Sequence, residues 1–150
     1  MSITHDYTVA LDWREARKGE LSSVDFSTNI EVATPPEFPG GMPGYWSPEH
    51  LFVAAVSSCF MTTFLSIAEN SRLGFTHFSC RASGRLEKLA SGYQITTITL
   101  FPEVTLENIE EEEKTLRILN KTEANCLISN SIRTKIMMRP TISSATVRTT

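Results

Sequence analysis

The chain has 150 residues, which is long enough for one domain with its own hydrophobic core, so disulfide bonds are not needed to stabilise it. Its formal net charge is −3, its acidic residues are concentrated in the run 110–113, and it lacks the basic face that nucleic-acid binding requires. The first residues are polar and do not form a secretory leader, so the three cysteines predict a reducing, cytoplasmic compartment. The longest apolar run is interrupted by Ser57 and Ser58 and falls short of the roughly 18 residues that a bilayer requires, so we expect no membrane association.

The N-terminal third predicts short β-strands followed by a loop. Residues 7–13 alternate between apolar and polar side chains, as a strand does, and residues 17–19 predict a turn. Two further short strands follow at 21–26 and 29–32. Residues 35–44 are rich in proline, which lacks a backbone donor, and in glycine, which is costly to order, so this segment predicts a loop.

A long helix follows this loop. Ser47 is a favourable N-cap, Pro48 suits the first helical position, and Gly74 supplies a stop after Leu73, which predicts a helix of about 26 residues. From 51 to 64 the sequence is apolar on nearly every helical face, which is typical of a helix that is buried on all sides. Because a chain of this size rarely encloses such a helix alone, we expect a partner subunit to complete its burial in an obligate homodimer.

The C-terminal half predicts a β-hairpin, a second helix and a final strand. Strands at 75–89 and 93–101 are joined by a short turn, and β-branched residues favour the second strand. A helix from about 106 to 131 carries its acidic residues in the first turns and its basic residues later, as the helix dipole favours. A strand at 135–139 closes the fold. No repeat or second domain is evident, so the sequence predicts one domain over residues 1–150.

Two cysteines are the candidate chemical groups. Cys59 lies within the most apolar stretch of the chain, where a thiol serves either packing or chemistry. Cys126 lies 67 residues later in a similar segment, so only the fold can bring the two together. Cys80 is expected to be an ordinary strand residue. No cysteine belongs to a CxxC or CxxH motif and the three histidines are scattered singly, so we expect no metal centre.

Two motifs carry a resemblance to a known family. Segment 38–60 contains Pro-Gly-Gly, then Gly-Tyr-Trp-Ser-Pro-Glu-His-Leu-Phe and finally Ser-Ser-Cys-Phe, and segment 124–131 reads Ala-Asn-Cys-Leu-Ile-Ser-Asn-Ser. In this order and separation the motifs resemble the OsmC/Ohr family of organic hydroperoxide reductases, and the resemblance spans the chain from Tyr7 to about Ile142. It implies an α+β, OsmC-like fold in which antiparallel sheets pack around two long central helices of an intertwined homodimer.

The resemblance also implies a thiol peroxidase site. In the family a peroxide-attacking cysteine, a resolving cysteine, an arginine and a glutamate form this site. By position the cysteines match Cys59 and Cys126, the glutamate matches Glu49, and the arginine belongs to the first hairpin. Family members that are similar to this chain carry an arginine four residues after a tryptophan, which is the position of Arg17, and Arg14 is the competing candidate.

An arginine also has a physical role to fill. Only a thiolate attacks a peroxide, and Cys59 lies too far beyond Ser47 for the N-terminus of its own helix to stabilise the anion. A guanidinium at ~4 Å from the sulfur stabilises the thiolate by about 4 kcal/mol at an effective dielectric constant of ~20. This attraction outweighs the cost of moderate burial of the anion. An arginine is therefore expected beside Cys59 if this thiol is reactive.

Glu49 is the expected carboxylate partner of that arginine, because a buried guanidinium needs one. It precedes Cys59 by ten residues, which on a straight helix gives about 15 Å of rise and roughly 80° of rotation. One arginine head cannot touch both residues across an unbroken helix. Either the helix breaks between them, or the arginine and the glutamate reach the site from another chain.

The implied reaction oxidises Cys59 to a sulfenic acid, releases an alcohol and closes a disulfide with Cys126. An external dithiol of the dihydrolipoamide type then restores the thiols, and lipoylated proteins are the expected partners. No bound cofactor is expected, because flavin, nicotinamide and phosphate-loop motifs are absent from the sequence. Five aromatic residues are candidates to line a pocket for an alkyl tail, namely Tyr45, Trp46, Phe52, Phe60 and Phe64. Plain core packing is nevertheless expected for most of them, and for Phe64 in particular. Two alternatives stay open, a noncatalytic OsmC-like protein that binds a small ligand and a redox-sensing stress protein.

Overall fold

Residues 2–145 are described by a computed structural model, in which the chain divides into two units, Met1–Leu51 and Phe52–Thr150. Sheets and helices are both present, and the α+β class expected from the sequence is confirmed. The expectation of a single domain stays a prediction.

The N-terminal unit is a three-stranded antiparallel sheet in the order β1-β2-β3. Its strands are β1 Ala10–Glu15, β2 Lys18–Ser23 and β3 Phe26–Ala33. Three strands are present, as expected, but their bounds differ from the prediction. The first begins at residue 10 rather than 7, the second covers 18–23 rather than 21–26 and so takes part of the turn expected at 17–19, and the third covers 26–33 rather than 29–32. Ala16 takes a left-handed conformation, with φ 48°, in the β1–β2 turn, and its carbonyl accepts a hydrogen bond of 3.0 Å from Trp13 Nε1. Residues 35–44 form a loop, as expected.

This sheet buries little of its surface. All six residues of β1 are exposed, as are the first six residues of β3. Large apolar side chains are among them, since Trp13 is 74% exposed and Phe26 is 62% exposed. Exposed apolar side chains that cluster on one element are typical of an interaction surface.

Helix α1, Pro48–Asn70, begins as the sequence predicts and has no break. Ser47 Oγ accepts a hydrogen bond of 3.1 Å from the His50 amide, which is the expected N-cap. Four residues spaced by one turn are fully buried on one face of the helix, namely Val56, Phe60, Phe64 and Ala68. The other faces are partly or fully exposed, with Met61 and Leu65 each 40% exposed. One chain therefore covers only one stripe of the helix, and the expectation that a partner subunit completes its burial stays a prediction.

The end of α1 also differs from the prediction. Arg72, and not Gly74, takes the left-handed conformation that closes the helix, with φ 55°. The Leu73 amide donates a hydrogen bond of 2.9 Å to the Ala68 carbonyl, and the Arg72 amide donates one of 3.0 Å to the Glu69 carbonyl. These two closing bonds offset the cost of a left-handed arginine and end the helix before the glycine.

Helix α1 is long and apolar enough to cross a membrane by length and composition alone, with a mean hydropathy of 1.9 over 18 residues. The expectation of no membrane association rested on the longest uninterrupted apolar run, so it did not include this property of the whole helix. The core helix of a soluble protein has the same property. The buried stripe of α1 packs in one core cluster with strand residues such as Ile98 and Leu100, which favours a core helix.

The C-terminal unit contains a four-stranded sheet. Strands β4, Phe75–Leu89, and β5, Gly92–Leu106, form the expected antiparallel hairpin, and β5 continues past the predicted end at residue 101. Strand β6, Lys135–Met138, corresponds to the last predicted strand, and β7, Thr141–Ser144, was not predicted. Both pair in parallel with β5, so this sheet is mixed and the expectation of antiparallel sheets is wrong here. The helical connection after β5 returns the chain to the start of that strand, which makes the pairing parallel.

The second helix differs most from the prediction. Leu106 is fully buried at the end of β5, a 3-10 turn follows at Ile109–Glu111, and α2 spans only Glu112–Asn125. Cys126 has an extended backbone, with φ −73° and ψ 112°, and separates α2 from the one-turn helix α3, Leu127–Asn130. Within residues 2–145 there is therefore one long helix and not the expected pair. The buried end of β5 takes the residues that the sequence pattern assigned to the start of the helix.

Candidate active site

The two candidate cysteines meet in the C-terminal unit. Cys59 lies in the middle of α1 and is partly exposed, whereas Cys126 lies at the break between α2 and α3 and is fully buried. Both are free thiols, and they are close enough for each to shift the pKa of the other. The fold thus brings together the two residues that lie 67 positions apart in the sequence.

The surroundings of Cys59 favour its thiolate. Burial acts to raise the pKa of Cys59, but hydrogen bonds from the Ile128 amide, the Cys126 thiol, the Thr63 hydroxyl and the Leu127 amide outweigh it and hold the pKa below its usual value. Thr63 lies one helical turn after Cys59, with its Oγ1 4.0 Å from the cysteine Sγ. Cys59 is therefore the more acidic thiol of the pair.

These donors change the argument for an arginine. From the sequence, the only backbone donors considered for the Cys59 thiolate are those at the distant N-terminus of its own helix. The break at Cys126 instead directs the Leu127 and Ile128 amides towards the sulfur. The pKa of Cys59 is thus lowered without a guanidinium. Nothing in the sequence pattern signals these amides, because they depend on the break in the second helix.

The pKa of Cys126 is shifted in the opposite direction. Burial raises the pKa of Cys126, the hydroxyl and amide of Ser129 partly offset burial, and the neighbouring Cys59 raises the pKa further. The pair therefore combines a thiol whose pKa is lowered with a thiol whose pKa is raised. This asymmetry distinguishes an attacking thiol from a resolving thiol.

Cys80 has the properties of an inert thiol. It lies in β4 opposite Pro102 of β5. Burial raises the pKa of Cys80 to about 11, and a hydrogen bond from the Phe101 backbone offsets only part of this effect. Its expected role as an ordinary strand residue agrees with this environment.

The two candidate arginines differ in their partners. Arg14 forms an ion pair with Glu20, and its Nε donates to the same carboxylate at 3.1 Å. Arg17, in the β1–β2 turn, forms no ion pair within residues 2–145. Its side chain lies against the loop, because a Cβ on Gly40 would be 3.2 Å from Arg17 Cγ and Nε. Arg14 is thus already engaged, whereas Arg17 is available for another carboxylate.

Glu49 lies in the first turn of α1. Its Oε1 is buried and accepts no hydrogen bond within residues 2–145, and neither candidate arginine pairs with it. A buried carboxylate oxygen without a partner lowers the stability of the fold, so this oxygen is free to accept a hydrogen bond from a further donor. The structure does not bring Arg17 and Glu49 together as an ion pair.

The unbroken course of α1 decides between the two arrangements left open by the sequence. The helix runs from Pro48 to Asn70 without interruption, so Glu49 and Cys59 remain about 15 Å apart along its axis. The alternative of a helix break between them is excluded. The other arrangement, in which the arginine and the glutamate reach the site from another chain, stays a prediction.

A cleft of about 470 Å³ opens between α1 and α2. Its lining residues are Thr62, Thr63, Ser66, Ile67, Asn70, Lys121 and Asn125. Thr63 is the residue that contacts Cys59, and Asn125 directly precedes Cys126, so small polar molecules in this cleft are next to the site.

Of the aromatic residues that were candidates for an alkyl pocket, two lie in the core and one lines a separate pocket. Phe60 and Phe64 are fully buried core residues, and Phe64 stacks on Phe78 with ring centroids 4.6 Å apart. Phe52 lines a separate pocket of about 420 Å³ with Ile95. Within residues 2–145 no three histidine, cysteine, aspartate or glutamate side chains could hold a metal ion together.

A family model matches about two thirds of the chain. Residues 40–140 match the model of the family described as OsmC-like protein. The chain belongs to the OsmC-like family. The matched segment contains Glu49, Cys59 and Cys126, whereas Arg17 lies outside it. No curated protein matches the chain in sequence.

Solved structures with the same fold include several OsmC-like proteins. An OsmC-like protein of unknown function from Vibrio cholerae is 24% identical with a TM-score of 0.80, and the alignment covers 91% of this chain and 99% of that one. An organic hydroperoxide resistance protein OsmC from Legionella pneumophila is 22% identical with a TM-score of 0.74, covering 95% and 99%. An organic hydroperoxide resistance protein from Elizabethkingia anophelis is also 22% identical with a TM-score of 0.74, covering 96% and 99%. At these identities the likeness establishes the fold of this OsmC-like protein.

Proposed function

We propose that this OsmC-like protein is a thiol peroxidase that reduces organic hydroperoxides to alcohols. The observation that carries the proposal is the pair of neighbouring thiols, in which Cys59 is partly exposed with a lowered pKa and Cys126 is buried with a raised pKa. Family membership and the names of the structural neighbours from L. pneumophila and E. anophelis support organic hydroperoxides as the substrate class.

The proposed reaction begins when the Cys59 thiolate attacks a peroxide oxygen. A sulfur–oxygen bond forms, the oxygen–oxygen bond breaks, and the alkoxide takes a proton to leave as an alcohol. The Cys126 sulfur then attacks the resulting sulfenic acid, so that a disulfide forms and the hydroxyl of the sulfenic acid leaves with a proton as water. An external dithiol reduces this disulfide and is itself oxidised to a disulfide.

The proposal assigns Arg17 and Glu49 to the Cys59 site of a second copy of the chain. The unbroken α1 separates Glu49 from Cys59 of the same chain, while the buried Glu49 Oε1 lacks a partner and Arg17 lacks an ion pair within residues 2–145. A guanidinium held by Glu49 would add to the amide donors that already favour the thiolate. A homodimer also accounts for the apolar side chains that α1 and β1 leave exposed.

A dithiol of the dihydrolipoamide type is the proposed reductant, and a lipoylated protein is its proposed carrier. Compact dithiols suit a site whose neighbouring cleft is polar and open, since Lys121 and Asn125 border it. The proposed compartment is the cytoplasm, where thiols stay reduced and a Cys59–Cys126 disulfide forms only during turnover.

The test is consumption of cumene hydroperoxide with dihydrolipoamide as the only reductant. We expect multiple turnovers for the wild type and for Cys80→Ser, no turnover for Cys59→Ser, and slower turnover for Cys126→Ser. A wild type no faster than Cys59→Ser would remove the enzyme proposal and favour a ligand-binding protein. One turnover that stops at the disulfide would favour a redox sensor.

A further inference from the structure

The Ser129 hydroxyl has an unusual environment that the proposed reaction does not yet use. Ser129 lies in α3, three residues after Cys126. Its Oγ is buried and has no hydrogen-bond partner of normal geometry within residues 2–145. A buried hydroxyl without a partner lowers the stability of the fold, so this hydroxyl does not contribute to stability through a hydrogen bond.

Cys126 is the N-cap residue of α3 and Ser129 is the third residue of that helix, so the two side chains belong to the same turn. Both the hydroxyl and the amide of Ser129 favour the anionic form of Cys126. The other hydroxyls of the same region are engaged elsewhere, since Ser131 Oγ donates to the Leu127 carbonyl at 2.8 Å. Ser129 is thus the side-chain donor next to Cys126 that still has its hydrogen-bonding capacity free.

The second chemical step needs such a donor. A sulfenic acid is attacked by a thiolate and not by a thiol, and Cys126 is fully buried, where an anion is poorly solvated. Water cannot stabilise the sulfur as it loses its proton. A hydroxyl held beside the sulfur replaces that water at the moment when the proton leaves.

We propose that Ser129 is the positioning residue for the resolving step, in which its hydroxyl donates a hydrogen bond to the Cys126 sulfur as this sulfur attacks oxidised Cys59. The inference rests on the proposed thiol peroxidase function and deepens it. The sulfur–sulfur bond forms, the sulfur–oxygen bond of the sulfenic acid breaks, and the hydroxyl group leaves with the Cys126 proton as water. The hydroxyl of Thr63 serves Cys59 in the same manner, so each sulfur has its own side-chain donor.

The two steps can be measured separately in a single turnover. Rapid mixing with one equivalent of cumene hydroperoxide, followed by mass spectrometry, resolves the sulfenic acid from the disulfide. We expect Ser129→Ala to leave the rate of sulfenic acid formation unchanged and to slow disulfide formation about fivefold, because a typical hydrogen bond contributes about 1 kcal/mol. Ser129→Thr keeps a hydroxyl and should restore the rate. Ser131→Ala, on the same turn, is the matched control and should behave as the wild type.

A second measurement does not depend on peroxidase activity. In a background of Cys59→Ser and Cys80→Ser, the ultraviolet absorbance of the thiolate follows the ionisation of the buried Cys126 without a reagent, and its midpoint pH should rise when Ser129→Ala is added and should stay the same when Ser131→Ala is added. An unchanged midpoint, or an equal slowing of both steps by Ser129→Ala, overturns the role of Ser129. Failure of the proposed function itself is distinct, because the wild type would then form no sulfenic acid.

Discussion

The thiol environments predict a fixed order of reactivity among the three cysteines at neutral pH. An ordinary thiol with a pKa of 9.0 is about 1% ionised at pH 7, whereas Cys80, with its pKa raised to about 11, is about 0.01% ionised. Cys80 therefore has about 100-fold less thiolate. A thiolate of higher pKa is also a better nucleophile. With a Brønsted coefficient of about 0.45, each Cys80 thiolate reacts roughly eightfold faster than an ordinary one, which offsets part of the 100-fold loss. Cys80 should react about tenfold more slowly than an ordinary thiol, and Cys59 should react faster than one.

The assay is a short pulse of iodoacetamide at pH 7 on the fully reduced protein, followed by mass spectrometry of peptides. We expect Cys59 to be alkylated more than tenfold faster than Cys80. Thr63→Val removes one donor to the Cys59 sulfur and should slow its alkylation, by roughly twofold to tenfold for a hydrogen bond of about 0.5–1.5 kcal/mol. Thr62→Val is the matched control, because the Thr62 hydroxyl donates to the Cys59 carbonyl and not to its sulfur.

The reasoning is refuted if Cys59 and Cys80 react at similar rates at pH 7, or if Cys59 becomes half-reactive only at or above pH 9. Equal effects of Thr63→Val and Thr62→Val would show that the helix, and not the hydrogen bond to sulfur, determines the rate. Circular dichroism at each pH checks that the fold persists over the range.

Two other predictions concern packing and assembly. Gly84→Ala would place a Cβ 2.6 Å from Val53 Cγ2, so we expect it to lower the free energy of unfolding, measured by urea denaturation, by about 1–3 kcal/mol. The control Ser83→Ala, on the same strand, should change this free energy by no more than about 0.5 kcal/mol. Equal urea midpoints for the two variants would contradict the close approach of α1 to β4. Leu65→Glu on α1 should convert the expected dimer to monomers in sedimentation velocity, whereas Leu89→Glu, at a hairpin end with the same 40% exposure, should not. A monomeric wild type would remove the dimer from the proposal.

The predictions from sequence were most accurate where neighbouring residues act on each other. Ser47 and Pro48 placed the start of α1 correctly, since an N-cap and a first-turn proline need only the following turn. The β4 strand was predicted with its observed bounds, because alternation and a short turn specify a hairpin locally. Two cysteine-bearing motifs were enough to identify the family.

The predictions were least accurate where distant segments decide the outcome. The parallel pairing of β6 and β7 depends on the path of the chain after β5, and four residues carry too little pattern to reveal it. The end of α1 at Asn70 depends on a left-handed Arg72 and on closing hydrogen bonds that a glycine-based rule overlooks. The break at Cys126 was missed because the helical pattern continues across it.

By itself, the sequence determined the α+β class, the capped start of the long helix and the two cysteines that are candidates for chemistry. Only the tertiary structure decided that Cys59 and Cys126 lie together, and that the thiol in α1 is served by the amides of Leu127 and Ile128. The physical reason is the distance along the chain over which each effect acts. Caps, turns and alternation act within a few residues, whereas the acidity of a thiol depends on every donor around it, and these donors come from segments that only folding brings close.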